Sequence, residues 1–184
     1  VAGTFTKSTI VSGSVIVSRK RVAEGTARGV VANSGCANAC VGAQGPRDAE
    51  ETAALAAVQA RVSAEEMLVC STGMIGVELP MALIRRNVSK VKLDSNGGHS
   101  FAQAIMTTDN RPKEIAVSIE LSSGRATIGG AAKGAAMIHP NMATMLAFIT
   151  TDAAVETNVL QAALSEAVDS SFNLVTVDGD QSTN

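Results

Sequence analysis

The chain has 184 residues, 46% hydrophobic and 17% charged, the composition of a globular protein with a real core and a length that suits one compact domain. A formal charge of −2 offers no basic field for a phosphate backbone, and a 2% aromatic share without Trp or Tyr leaves bases little to stack on, which argues against nucleic acid as a partner. No apolar run reaches the roughly 18 residues of a membrane span, and Cys36, Cys40 and Cys70, odd in number and without a CxxC, predict reduced thiols rather than disulfides or a zinc site.

The opening VAGTFTKSTIVSG lacks both the layout of a signal peptide and an initiator Met, which predicts a chain that begins mid-sequence. Arg28 to Asn33 (RGVVAN) predicts a short strand running into a glycine turn, NSGCAN. Pro46 then opens a helix to about Val62, with Asp48, Glu50 and Glu51 set against its positive N-terminus. Leu55 and Val58, among alanines, predict its apolar face. Ser63 and Glu66 have the spacing of a capping box before MLVCST, a strand ending at Thr72 and Gly73. Pro80 starts another helix, to about Val91, and Phe101 to Met106 reads as the end of a further one.

Between Glu114 and Ile128, EIAVSIEL and RATIGG flank Ser122-Ser123-Gly124, which is a hairpin signal. The chain is then irregular from Gly134 to Pro140. Thr144 to Ile149 (TMLAFI) predicts a buried strand, Glu156 to about Val168 a helix, and LVTV a last strand running into DGDQSTN. The turn-rich polar end predicts that more protein follows. Alternating elements predict α/β layering, with the hairpin making the sheet mixed.

The chemistry concentrates in KGAAMIHPNMATML, Lys133 to Leu146. Here a Lys follows a double glycine and alanines, a Pro stiffens the backbone, and a small-residue junction, Ala143–Thr144, enters an apolar strand. Taken alone, a Thr at a strand's first residue signals only β-propensity. The string, however, resembles almost residue for residue the self-cleavage junction of ornithine acetyltransferases. The similarity runs through AGTFT, NSGCANAC, CSTGMIG, AIMTTDNRPKE, IGGAAKGAAMIHPNMATMLAFITTDA and DGDQSTN, which together span nearly the whole chain.

This resemblance implies a layered α/β sandwich with mixed sheets and a precursor cut between Ala143 and Thr144. Residues 1–143 then correspond to an alpha chain and 144–184 to the start of a beta chain. Further substrate-binding residues of the family (an acid, an Asn and a hydroxyl residue) lie beyond the position of Asn184, so the chain is expected to be incomplete. Cleavage would follow attack of the Thr144 hydroxyl on the Ala143 carbonyl, an N-to-O acyl shift, and hydrolysis of the ester. The freed α-amine of Thr144, with an ordinary pKa of about 7.7–8.0, then serves as base for its own hydroxyl.

The resemblance also assigns roles. Thr72 and Gly73 match the family's oxyanion pair, a hydroxyl and a backbone N–H, although a strand-to-turn exit is the plain alternative. Lys133 matches a substrate-binding Lys suited to an amino-acid carboxylate, against the plain alternative of a solvated loop charge. Thr107, in preference to Thr108, matches a substrate contact, and Thr144 itself is also counted among the substrate-binding residues. Asn33, Gly35 and Asn38 read as a structural turn, and His139 beside Pro140 as a structural His. DGDQSTN lacks the sixth-position Gly of a calcium loop and reads as a turn. Neither metal nor cofactor is expected.

The implied activity is acetyl transfer from N-acetylornithine to glutamate, by a ping-pong course through acetyl-Thr144, in arginine biosynthesis. Some family members also take acetyl-CoA as donor. The implied assembly is a heterotetramer or larger oligomer of alpha and beta chains, located in the cytoplasm or, in a eukaryote, the mitochondrial matrix. Two other readings stay open at this point: a self-cleaving aminopeptidase-like hydrolase, and a non-catalytic scaffold subunit that never matures.

Overall fold

The computed structural model describes residues 1–122, 124–140 and 145–180. Ala143 and Thr144, Ser123 of the hairpin connection and the last four residues of DGDQSTN lie outside the described residues.

Two sheets organise the chain. Strand β1 (Gly29–Cys36) pairs in parallel with β2 (Met67–Met74), in a register that sets Ser34 beside Thr72 and Gly35 beside Gly73. Strands β3 (Lys113–Leu121), β4 (Gly124–Lys133) and β5 (Leu146–Thr151) form an antiparallel sheet in that order, and Lys133 faces Leu146. The expected mixture of strand directions is thus divided between a parallel and an antiparallel sheet. The β3–β4 hairpin falls where its turn residues put it, with Leu121 opposite Gly124. The first strand runs further than RGVVAN, because pairing with Thr72, Gly73 and Met74 carries it through Gly35 to Cys36. The turn comes after it, at Asn38 and Cys40, both with positive φ.

Helix α1 (Gly13–Ala23) has no counterpart among the sequence expectations. Its Val15-Ile16-Val17 run is β-branched and argues against helix locally. The Ser12 side chain caps it by accepting from the Val15 N–H, Lys20 and Arg21 suit its last turn, and tertiary bonds complete it. Ser14 Oγ lies 2.6 Å from Ser71 Oγ, Ser18 Oγ bonds both the O (2.6 Å) and the N (2.9 Å) of Val69, and Arg21 donates to Met67 O. Helix positions three and four apart thereby meet strand positions two apart. Along this edge of β2, α1 occupies the place of a neighbouring strand.

Helix α2 (Gln44–Ala60) starts two residues before Pro46, which therefore sits inside the first turn, where its missing N–H costs nothing. The acids fall one turn later than expected: Asp48 is buried and accepts from Gln44, and Glu51 takes a two-pronged bond from Arg85. The buried face is also corrected. Ala49, Ala53, Ala56 and Ala57 pack with Val17, Met67 and Val69, whereas Val58 is 79% exposed and Leu55 only half-buried. Small side chains win that face because α1 comes close. A Cβ on Gly13 would stand 2.2 Å from the Gly45 carbonyl carbon, which only a glycine permits.

The capping box at Ser63 and Glu66 opens a single 3-10 turn, Ala64–Glu66, that leads into β2. Helix α3 (Met81–Asn87) stops short of Val91 and tightens into a 3-10 turn at Val88–Lys90, and α4 (Gly98–Ala104) sets Phe101 edge-on against Phe148 of β5, with ring centroids 4.9 Å apart. Helix α5 (Thr157–Asp169) forms over the expected span, but only Val168 of its residues is buried. The expected LVTV strand does not form. A 3-10 turn, Phe172–Leu174, replaces its start, and the rest is held by the Val177 N–H bonding to Ile138 O at 2.9 Å. Among the described residues no helix is long and apolar enough to cross a membrane.

Candidate active site at the junction of the two sheets

Thr72 stands near the end of β2, Lys133 is the last residue of β4, and Thr107 lies in the segment between α4 and β3. They are far apart in sequence and meet at one point. The Lys133 ammonium donates to Thr72 Oγ1 at 3.0 Å and to Thr107 Oγ1 at 2.7 Å. Lys133 and Thr72 are each 4% exposed, so this is not the solvated loop charge that a lysine usually is. Burial pushes the Lys133 ammonium below its ordinary pKa; the charge of Asp109 opposes that shift and the charge of Lys113 adds to it.

An ammonium donates and cannot accept. Both hydroxyls are therefore acceptors toward Lys133, and each keeps its own hydrogen for another group. Two of the three Lys133 donors are used in this way, and among the described residues none meets a carboxylate. Among the described residues, the site thus presents a buried cation with a spare donor beside hydroxyls with spare hydrogens.

Gly73 follows Thr72 with φ +131°, a region that side chains avoid. A Cβ there would lie 2.3 Å from the carbonyl carbon of Gly35, its register partner. The close pairing of two glycines is what brings the strand ends together at this point. Nearby, Ser34 Oγ donates to Ala104 O at 2.8 Å and fastens the end of α4 to β1.

Asp109 was missed by the sequence reading, where an acid in TTDNRP looks like an ordinary turn former. Its side chain is fully buried and bonded to Lys113. Oδ2 accepts from the Thr107 N–H at 3.2 Å, and Oδ1 accepts from the Gly134 N–H at 2.8 Å. Burial works against its charge, but Lys113 and the two backbone N–H groups outweigh it and hold the carboxyl at about 2. The Asp109–Lys113 spacing of four residues was the available signal.

Among the described residues, none of the remaining candidates bonds Lys133. Burial pushes the Cys70 thiol up to about 12, which keeps it a thiol at neutral pH, and Cys36, Cys40 and Cys70 are all free. Asn38 serves the turn, donating to Gly45 O at 2.8 Å. His139 Nδ1 is buried without a hydrogen-bond partner among the described residues. Asp178 of DGDQSTN accepts from the N–H groups of Met137 (2.7 Å) and Ile138 (2.9 Å), which supports a turn-forming role for that motif. Among the described residues no three His, Cys, Asp or Glu side chains gather as a metal site would require.

Comparison with known proteins agrees with this picture. The chain is 51% identical over 185 residues to the arginine biosynthesis bifunctional protein ArgJ of Symbiobacterium thermophilum, covering all of this chain and 46% of that protein. It is 50% identical over 183 residues to the ArgJ of Dehalococcoides mccartyi, again covering all of this chain and 45% of that one. The chain therefore spans about half the length of these relatives. Among solved structures, it resembles ArgJ from Bacillus halodurans with a TM-score of 0.74 and 34% identity, over 79% of this chain and 76% of that one. It resembles the ornithine acetyltransferase of Mycobacterium tuberculosis, solved with ornithine, with a TM-score of 0.70 and 38% identity, over 76% of each chain. Since the model of the ArgJ family matches residues 1–184, the whole of it, this chain belongs to the ArgJ family.

Proposed function

We propose that the protein carrying this chain moves an acetyl group from N-acetylornithine to glutamate, through an ester on the Thr144 hydroxyl. The observation that carries the reading is the buried Lys133 ammonium, bonded among the described residues to the hydroxyls of Thr72 and Thr107. Its spare donor suits the carboxylate of an amino-acid substrate. Leu146, two residues after Thr144 in sequence, is the register partner of Lys133, which supports a nucleophile working beside this cation.

In this reading the protein first cuts itself between Ala143 and Thr144. The Thr144 α-amine then takes the proton of its own hydroxyl as that oxygen attacks the acetyl carbonyl. The oxyanion formed accepts the spare hydrogen of Thr72 and the N–H of Gly73. Collapse breaks the amide, ornithine leaves with the proton, and the glutamate amine reverses the sequence on the ester. Each preorganised oxyanion donor is worth about 2.7–4 kcal/mol.

Residues 1–143 act as an alpha-chain part and the sequence from Thr144 as the start of a beta chain, in one α/β unit whose chains assemble further in the cytoplasm (in a eukaryote, the mitochondrial matrix). The relatives' description as bifunctional favours a second activity, acetylation of glutamate from acetyl-CoA, at the same threonine. The test is to incubate the full-length protein with N-acetylornithine, with and without glutamate. N-acetylglutamate should form only when glutamate is present. Release of free acetate at the same rate in both would favour the hydrolase, and no turnover from an uncut chain would favour the scaffold.

A further inference from the structure

We propose that Asp109 is a positioning residue of the acyl-transfer site, tying the Thr107 segment to the end of β4 so that Thr107 and Lys133 meet. This rests on the acyl-transfer reading above. The two residues of the Lys133–Thr107 bond come from different segments, and one carboxylate holds both. Oδ2 takes the N–H of Thr107 itself, and Oδ1 takes the N–H of Gly134, the residue directly after Lys133. The Asp109 side chain has no exposed surface, and Lys113 bonds it from β3.

A carboxylate suits this place because it has about four acceptor sites and no donor. An amide of the same shape accepts on one oxygen only and turns an NH₂ toward one of the two backbone N–H groups or toward Lys113. A buried donor facing a donor loses its partner, and the segment must shift to recover one. Asp109 also supplies the negative charge that offsets the burial of the Lys133 ammonium. It touches neither Thr72 nor, in this reading, the substrate. Its influence passes through Thr107 and Lys133.

The test is a double-mutant cycle on the matured full-length enzyme, with chemical labelling as a readout independent of substrate. Asp109→Asn should lower kcat/KM for N-acetylornithine by about 10–100-fold, since a misplacement of about 1 Å costs on that order. In a Lys133→Ala background the same change should cost less than about threefold, because the group it positions is gone. Equal losses in both backgrounds, or no loss in either, would overturn the proposal. Limited acetic anhydride labelling, read by mass spectrometry, should modify Lys133 about tenfold faster in Asp109→Asn than in the parent; equal rates overturn the proposal. If the parent transfers no acetyl group, the functional reading fails by itself and the labelling still judges Asp109. Should Asp109→Asn not fold, Asp109→Glu takes its place in both measurements, and failure of both variants to fold makes Asp109 a general structural residue and overturns the positioning role.

Discussion

Lys133 donates to Thr72 Oγ1 across 3.0 Å, and an ammonium has no lone pair with which to accept in return. The hydroxyl hydrogen of Thr72 is thus directed away from Lys133, and the polarised O–H is a better donor for it. A lysine on β4 sets the orientation of a threonine on β2. In the proposed reaction that orientation is what an oxyanion donor requires.

Thr72→Ala removes this donor and leaves the Gly73 N–H in place. The expected result is a fall in kcat of about 10²–10³-fold, with a smaller change in substrate binding. Self-cleavage passes through a tetrahedral oxyanion too, so only the matured fraction gives a clean answer. Single-turnover acetylation of Thr144, followed by mass, is the measurement. An unchanged rate would return Thr72 to a strand-end role.

Lys133→Ala removes the buried cation. KM for the acetylated amino acid should rise by roughly 30-fold or more, on the order of the 2–5 kcal/mol lost when one partner of a buried charge pair is truncated. Self-cleavage should remain largely intact. Calorimetric titration with N-acetylornithine checks the first part and gel analysis the second. Normal binding by the variant would remove Lys133 from the substrate site.

Gly73 and Gly76 both have positive φ, +131° and +80°, but only Gly73 faces a backbone wall. Gly73→Ala places a Cβ 2.3 Å from Gly35 and should destabilise the fold by more than about 2 kcal/mol. Gly76→Ala meets nothing within 4 Å and should cost about 1 kcal/mol. Urea unfolding of the two variants tests the difference, and equal midpoints would show that the Gly35–Gly73 approach is not constraining.

Asp109 gives a pH prediction. Its folded pKa of about 2 lies below the unfolded value of about 3.9, so its charge contributes stability above that unfolded value. The contribution is lost as pH falls through about 2. The stability difference between the parent and Asp109→Asn, which does not titrate, should be constant above about pH 5 and shrink steadily in more acidic solution. Urea unfolding across that range measures it, and a difference independent of pH would contradict the assigned carboxylate.

What the sequence revealed and what it hid follow from the range of the interactions involved. Gly124 and Pro46 act locally, so the hairpin and the start region of α2 were legible. Helix α1 was hidden because Ser14 and Ser18 bond a strand some fifty residues away, between Val69 and Ser71, against the preference of its own valines. The exposed Val58 was misread since periodicity cannot tell an alanine face meeting a glycine-close helix from a leucine–valine face. At the site, motif resemblance pointed to Thr72, Gly73, Thr107 and Lys133, and Lys133 does meet Thr72 and Thr107. Asp109 stayed hidden because its bond to the Gly134 N–H exists only once the end of β4 is placed beside it.

In the proposed function Thr144 becomes a chain terminus and carries the acetyl group. Intact mass of the purified full-length protein, before and after N-acetylornithine, reads both events. Two fragments divided between Ala143 and Thr144 are expected, with one acetyl mass added to the Thr144 fragment when donor is present and glutamate absent. Glutamate should remove that mass, and Thr144→Ala should stay in one piece. An active protein that remains uncut, or whose Thr144 fragment never gains an acetyl group in a turnover experiment, would show that Thr144 is not the nucleophile.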